Sequence, residues 1–254
     1  MPRGVRKAGP TTRKVRMRAL AVHDLTYAYG GSANALTRVS LTIEQASIVG
    51  LIGPNGSGKS TLIKNVFDLL KLQHGSIHVA GHAHDSPAAK AAAAYLASND
   101  HLPDFLSPRE YVTMMSRLHG EEPDHEHAAE LFDRFSMTGR YDDLIEKFSH
   151  GMRKKTQIVA GLTNPRTLTV IDETLNGIDL DAQQIVEAEL RDLRSAGHAV
   201  LLCSHDFAML ERVADRIVFL DYGIVVQDAP TAELVDAHGS LSDMTYRYLA
   251  SDGR

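Results

Sequence analysis

Apolar positions along the chain follow two periods that trade places several times. The run Ile48-Val49-Gly50-Leu51-Ile52 is continuous and of strand length, which predicts a buried strand, and beyond it Leu62, Ile63, Val66, Leu69 and Leu70 recur at helical spacing. Upstream, Leu20-Ala21-Val22-His23 and Leu41-Thr42-Ile43-Glu44 alternate loosely on either side of the turn-rich Tyr29-Gly30-Gly31-Ser32, as antiparallel strands do. Gly75 to Gly81 alternates again between two glycine turns, with His78 directed outward. From Ser86 to Lys147 the pattern turns helical: Val112, Met115 and Leu118 share one face, Leu131 and Phe135 another, with loops at Pro103, Pro108 and Pro123. Strand and helix then alternate once more. A helix with Ile158, Val159 and Leu162 stops at Asn164-Pro165, and strands at Leu168 to Ile171, Ala199 to Cys203 and Ile217 to Leu220 flank a helix with Val186, Leu190 and Leu193 inward.

Strands separated by helices imply a mainly parallel sheet covered on both faces, with ligands at the carboxyl ends of its strands. The expected fold class is therefore α/β: a mainly parallel core sheet, an N-terminal antiparallel β subdomain, and an inserted helical subdomain at about residues 86–150. One domain is expected over residues 19–254. Residues 1–18, rich in Arg and Lys with no apolar segment behind them, read as a disordered basic arm rather than a secretory signal, and Met17 as an alternative start. Such an arm is able to touch anionic lipid or RNA.

Composition narrows the picture. At 254 residues and 43% hydrophobic the chain is able to bury a sizeable core, and a formal charge of −5 gives no global attraction to nucleic acid. A single cysteine, Cys203, in an apolar run excludes an internal disulfide framework and reads as a buried inert thiol. No stretch approaches the roughly 18 apolar residues that cross a bilayer, so a membrane role has to pass through a partner. His78, His82 and His84 lie close together but lack a carboxylate or cysteine set at ligand spacing.

Between the first buried strand and the first helix lies Gly53-Pro54-Asn55-Gly56-Ser57-Gly58-Lys59-Ser60-Thr61, which fits the phosphate-loop pattern G-x-x-x-x-G-K-[ST] in its proper strand-to-helix context. Glycines let backbone N–H groups approach phosphate oxygens, and the helix N-terminus adds partial positive charge. Lys59 reaches the β- and γ-phosphates, and the Ser60 hydroxyl takes a Mg²⁺ position. Leu168-Thr169-Val170-Ile171-Asp172-Glu173 then sets two carboxylates beyond a buried strand. Asp172 suits a Mg²⁺ ion or its water shell, and Glu173 suits a general base that polarises the attacking water. Cys203-Ser204-His205-Asp206 ends the next strand at the same edge, where His205 is able to bond the γ-phosphate and position the water.

Together with Phe148-Ser149-His150-Gly151-Met152 and Asn176-Gly177-Ile178-Asp179, these motifs in this order resemble the ATP-binding subunit of ABC transporters, over about Leu20 to Leu234. The resemblance implies a P-loop NTPase core that binds ATP with Mg²⁺. It also implies a second ATP-binding subunit, the same or different, paired head-to-tail, and a separate transmembrane permease. By the same resemblance Tyr29 stacks on adenine, Ser149 and Gly151 cap the γ-phosphate from the opposite subunit, and Asp179 links the two sites. The chain departs from the family at His150, usually glycine, at Met152, often glutamine, and at Thr174, usually proline. Ser-His-Gly-Met is close to versions found in the branch resembling ABC-2 type exporters. Ser98, in Tyr95-Leu96-Ala97-Ser98-Asn99-Asp100, stands where a metal-reaching glutamine or glutamate is expected.

The function expected is ATP hydrolysis that powers an exporter from the cytoplasmic face of the membrane, with no specific nucleic acid. The alternative is a soluble, non-transport ABC ATPase acting on ribosomes or chromosomes. Chromosome-type members carry a long heptad arm, whereas about 90 residues without sustained heptads separate Lys59 from Ser149, and ribosome-type members usually carry two cassettes. A GTP-binding switch lacks its Asn-Lys-x-Asp reader here.

Overall fold

The structure, a computed structural model, describes residues 17–31, 33–99 and 101–251. Positions 1–16 of the basic arm, Ser32 of the predicted turn and Asp100 lie outside the described residues. Strand β1 (Arg18–Ala28) begins at the last residue assigned to the arm. It pairs antiparallel with β2 (Asn34–Glu44), and Val22 faces Leu41. Next come β3 (Ser47–Ile52) and α1 (Lys59–Val66), then β4 (His74–Val79) and β5 (His82–Ala83), which complete a four-stranded antiparallel sheet in the order β2-β1-β4-β5.

A short helix α2 (Pro87–Ala91) leads to β6 (Ala93–Leu96), and the helical block follows as α3 (Pro108–Leu118), α4 (His125–Arg134) and α5 (His150–Leu162). The chain then runs through β7 (Leu168–Asp172), α6 (Leu180–Ser195), β8 (Ala199–Cys203), α7 (Phe207–Val213), β9 (Arg216–Asp221), β10 (Ile224–Pro230), α8 (Thr231–His238) and α9 (Leu241–Ser251). The second sheet has the order β10-β9-β3-β8-β7-β6; its neighbours are parallel except for the β9–β10 hairpin. That hairpin turns at Tyr222 and Gly223, both left-handed, as a tight primed turn requires.

Alternate residues of the central strands feed two cores. Ile48 and Ile52 of β3 face one side with Val200 and Leu202 of β8, while Val49 and Leu51 face the other with Leu201 and Cys203. Each fully buried Leu or Ile contributes about 1.5–3 kcal/mol. This is the reason the strands read as continuous apolar runs.

Three details depart from the sequence reading. Helix α1 stops at Val66: Asp68 takes a left-handed conformation (φ 55°), and Leu69, expected on the helical face, is 60% exposed. Leu118, expected inward, is the last residue of α3 and is 71% exposed. Inside the stretch read as wholly helical, Ala93–Leu96 is a strand of the core sheet, pairing Ala94 with Thr169 and Leu96 with Ile171. An alanine-rich run has helical propensity, but sheet pairing prevails here. Helix α5 seals the strand at Gly161, where a Cβ would fall 2.6 Å from a Leu96 methyl. Helices α3 to α5 therefore follow β6, with α2 before it.

Candidate functional site

The phosphate loop leaves β3 and turns into α1 under tight steric control. Gly53 has φ +152°, and a Cβ there would sit 2.0 Å from the Leu220 carbonyl oxygen; Gly58 has φ +108°, with the Ala35 carbonyl oxygen 2.7 Å from any Cβ. Only glycine fits either position. The loop is held by Ser57 N–H donating to the Pro54 carbonyl at 3.1 Å and by Gly223 N–H donating to the Ser57 carbonyl at 2.9 Å. The Lys59 ammonium points back into the loop, donating to the Gly53 carbonyl at 2.7 Å and the Pro54 carbonyl at 3.2 Å. The Ser57 hydroxyl is buried without a partner inside the same loop.

A cleft of about 400 Å³ opens over the loop, lined by Asn55 to Thr61, Tyr29, Ala35 and Glu173. Tyr29 is 44% exposed, with its hydroxyl 3.2 Å from the Thr61 hydroxyl, so its ring stands at the cleft wall. Tyr29, the Lys59–Ser60 pair and Glu173, far apart in sequence, line this one cleft.

The strand ends supply the carboxylates. Glu173 is a non-glycine residue at φ 57°, a conformation that costs about 1–3 kcal/mol and persists where the surroundings enforce it. Its N–H donates to the Cys203 carbonyl at 2.9 Å, which fastens the end of β7 to the end of β8. Its Oε1 lies 3.0 Å from His205 Nε2. Asp172 is 5% exposed and accepts from the Tyr95 hydroxyl at 3.1 Å. Burial pushes the Asp172 carboxyl above the usual range and Glu173 adds to this, while Tyr95, Cys203 and Lys59 pull the other way. The Asp172 carboxylate and the Ser60 hydroxyl are hard oxygen donors of the kind Mg²⁺ takes alongside substrate phosphates. The orphaned Ser57 hydroxyl and the loop cradle suit the phosphates, so the residues fit Mg²⁺ with ATP.

Ser149, Gly151 and Asp179 are not among the residues lining this cleft. Ser149 caps α5, accepting from Met152 N–H at 3.4 Å; it is exposed, and a Cβ on Gly151 would meet nothing within 4 Å. Asp179 caps α6 through Ala182 N–H at 2.8 Å and pairs with Lys155 of α5 at 2.6 Å, and the Lys155 ammonium, with that cap bond, holds its carboxyl below the usual range. The Lys154 ammonium donates to the Asn176 carbonyl, so α5 is fastened twice to the segment after Glu173.

Ser98 is exposed, whereas the residues just before it are tightly held. Thr174, at the usual proline position, donates its hydroxyl to the Leu96 and Ala97 carbonyls at 2.9 Å each, and Gln157 of α5 donates to the Ala97 carbonyl at 3.1 Å. The side chain that reaches Asp172 from this strand is Tyr95. The sequence singled out Thr174 as a departure and Tyr95 only as a neighbour of Ser98, and gave none of Tyr95, Thr174 and Lys155 these contacts, because each is made with a tertiary neighbour that no local spacing announces. Among the described residues no group of three or more His, Cys, Asp or Glu is gathered for a metal, and no helix is long and apolar enough to cross a membrane.

A family model described as ABC transporter matches residues 36–176. The ABC transporter ATP-binding protein YdbJ of Bacillus subtilis (strain 168) is 30% identical over 196 residues, 76% of this chain and 63% of that protein. The daunorubicin/doxorubicin resistance ATP-binding protein DrrA of Streptomyces peucetius is 31% identical over 227 residues, 88% of this chain and 68% of that protein. A solved structure titled as the ATP binding subunit of an ABC transporter superposes with a TM-score of 0.84 at 28% identity, covering 91% of this chain and 99% of that one.

Proposed function

Because the chain belongs to the ABC transporter family, whose ATP-binding subunits power membrane transporters, we propose that it binds Mg²⁺·ATP on the Gly53–Thr61 loop, hydrolyses it, and drives an exporter through a separate transmembrane subunit. The observation that supports the reading most is that one cleft is lined both by the whole Asn55–Thr61 stretch, Lys59 included, and by Glu173 from the end of β7. Tyr29 stacks on the base. Backbone N–H groups of the loop and Lys59 bind the phosphates, with Lys59 trading its two carbonyl partners for phosphate oxygens. A Mg²⁺ held by Ser60 and Asp172 supplies neutralisation of charge developing on the phosphates.

Glu173 takes a proton from the attacking water as the water oxygen bonds to the γ-phosphorus. The bond to the bridging oxygen breaks, and its electron pair leaves with ADP. His205, bonded to Glu173 through Nε2, orients that carboxylate in the nucleotide-free site and turns the same N–H toward the γ-phosphate once ATP is bound. Exposed Ser149, and Gly151, beside which an added Cβ would meet open space, cover the γ-phosphate bound on a second subunit from the N-terminus of α5. The working unit is then a nucleotide-clasped dimer at the cytoplasmic face of the membrane, and ATP favours the closed form because only that form offers both halves of the site.

Two measurements test this. Lys59→Ala lowers ATP affinity by more than about 10-fold by calorimetry, the loss of a charge-assisted contact to phosphate. The chain also co-purifies with an integral membrane protein from its own cells. Unchanged affinity sinks the phosphate-loop assignment, and ribosome co-sedimentation without a membrane partner sinks the transport role.

A further inference from the structure

We infer that Tyr95 is a positioning residue for the metal-binding carboxylate Asp172, reaching it from strand β6 three positions before the short, exposed Ser98; this rests on the reading of Asp172 as a Mg²⁺ group. The Tyr95 hydroxyl donates to Asp172 Oδ2 at 3.1 Å. Its ring stacks on Phe67, with centroids 5.0 Å apart and planes at 25°. Phe67 directly follows α1, the helix whose second residue is Ser60. One side chain therefore spans the two elements that carry the two proposed metal-binding oxygens.

Its own backbone is held along β7 and the turn that follows it. Tyr95 is in register with Val170 of β7, and the Leu96 and Ala97 carbonyls that follow it take the Thr174 hydroxyl. The Phe67 stack and the Asp172 bond together hold the phenol. A neutral donor on one carboxylate oxygen fixes the rotation of the group without adding positive charge that would compete with a cation. Partners of this kind typically set metal affinity by 10–100-fold. Cys203 is the register partner of Asp172 on β8, but a thiol is a weak donor and does not substitute for the phenol.

The test is calorimetric ATP binding in a Glu173→Gln background, with Mg²⁺ and again with EDTA, so that no turnover intervenes. Tyr95→Phe, which keeps the stacking on Phe67, is expected to cut the Mg²⁺-dependent gain in ATP affinity by about 10-fold. Affinity in EDTA stays the same, and the melting temperature moves by no more than a few degrees. An unchanged gain overturns the inference, as does an equal loss with and without Mg²⁺, which would mark a merely structural tyrosine. Asp172→Asn separates the two levels: if it retains the gain, the assignment of Asp172 fails and the inference with it. If it loses the gain while Tyr95→Phe keeps it, only Tyr95 is wrong. A 10-fold loss in Ser98→Ala with Tyr95→Phe unaffected returns the role to Ser98.

Discussion

Glu173 Oε1 and His205 Nε2 lie 3.0 Å apart, across a pair of strand ends that the Glu173 N–H to Cys203 carbonyl bond ties together. If Glu173 is the proposed base and His205 orients it, the two substitutions cause unequal losses. Glu173→Gln keeps ATP affinity while kcat falls by about 10²–10⁴-fold, the usual worth of a general base. His205→Ala falls by less, since water still finds the base. Steady-state phosphate release with calorimetry on the same preparations checks both, and normal turnover by Glu173→Gln removes it from the role.

The left-handed backbone at Glu173 gives a second expectation. Glycine adopts φ 57° without strain, so Glu173→Gly is inactive yet melts higher than the parent, by the equivalent of about 1 kcal/mol. Thermal unfolding of the nucleotide-free protein measures this. A lower melting temperature would mean that the His205 contact outweighs the backbone strain.

If each nucleotide is shared between two subunits, two dead variants rescue one another. Lys59→Ala and Ser149→Arg are each expected to be inactive alone, the first through its phosphate loop and the second through the exposed α5 N-terminus. A mixed pair contains one intact site, so mixing restores partial ATPase activity. No recovery at any mixing ratio argues against composite sites.

The ion pair of Asp179 with Lys155 predicts a pH dependence. The Asp179 carboxyl is held below its ordinary range in the folded chain. The stabilisation is therefore present above the unfolded carboxylate pKa and fades as pH falls through the folded one. Asp179→Asn keeps the cap on α6 but loses the charge. Its melting temperature lies slightly below the parent at pH 7 and low salt, and the gap closes under acid conditions. Both partners are reachable by solvent, so added salt at pH 7 shrinks the gap too.

Most of the core and the phosphate loop were legible because they depend on local patterns. A strand buried on both faces must be apolar throughout, as Ile48 to Ile52 is, and a loop that wraps phosphate must carry glycine where Gly53 and Gly58 meet opposing carbonyls. What local pattern could not reveal was decided by neighbours. Ala93–Leu96 has the composition of a helix and becomes a strand because β7 offers a free edge. Tyr95 and Thr174 look like ordinary residues of a strand and a loop, and their meaning appears only when β6 and β7 lie side by side. Ser149 and Gly151 were legible as a motif, but within one chain they face outward, so their proposed partner lies in another molecule.

The bond from Gly223 to Ser57, with Ala35 pressed against Gly58, braces the phosphate loop from the β9–β10 turn and from the antiparallel sheet at once. The loop is thus held in shape by parts of the fold far from it in sequence. Lengthening the β9–β10 tip is therefore expected to weaken ATP binding although no residue of the cleft itself changes.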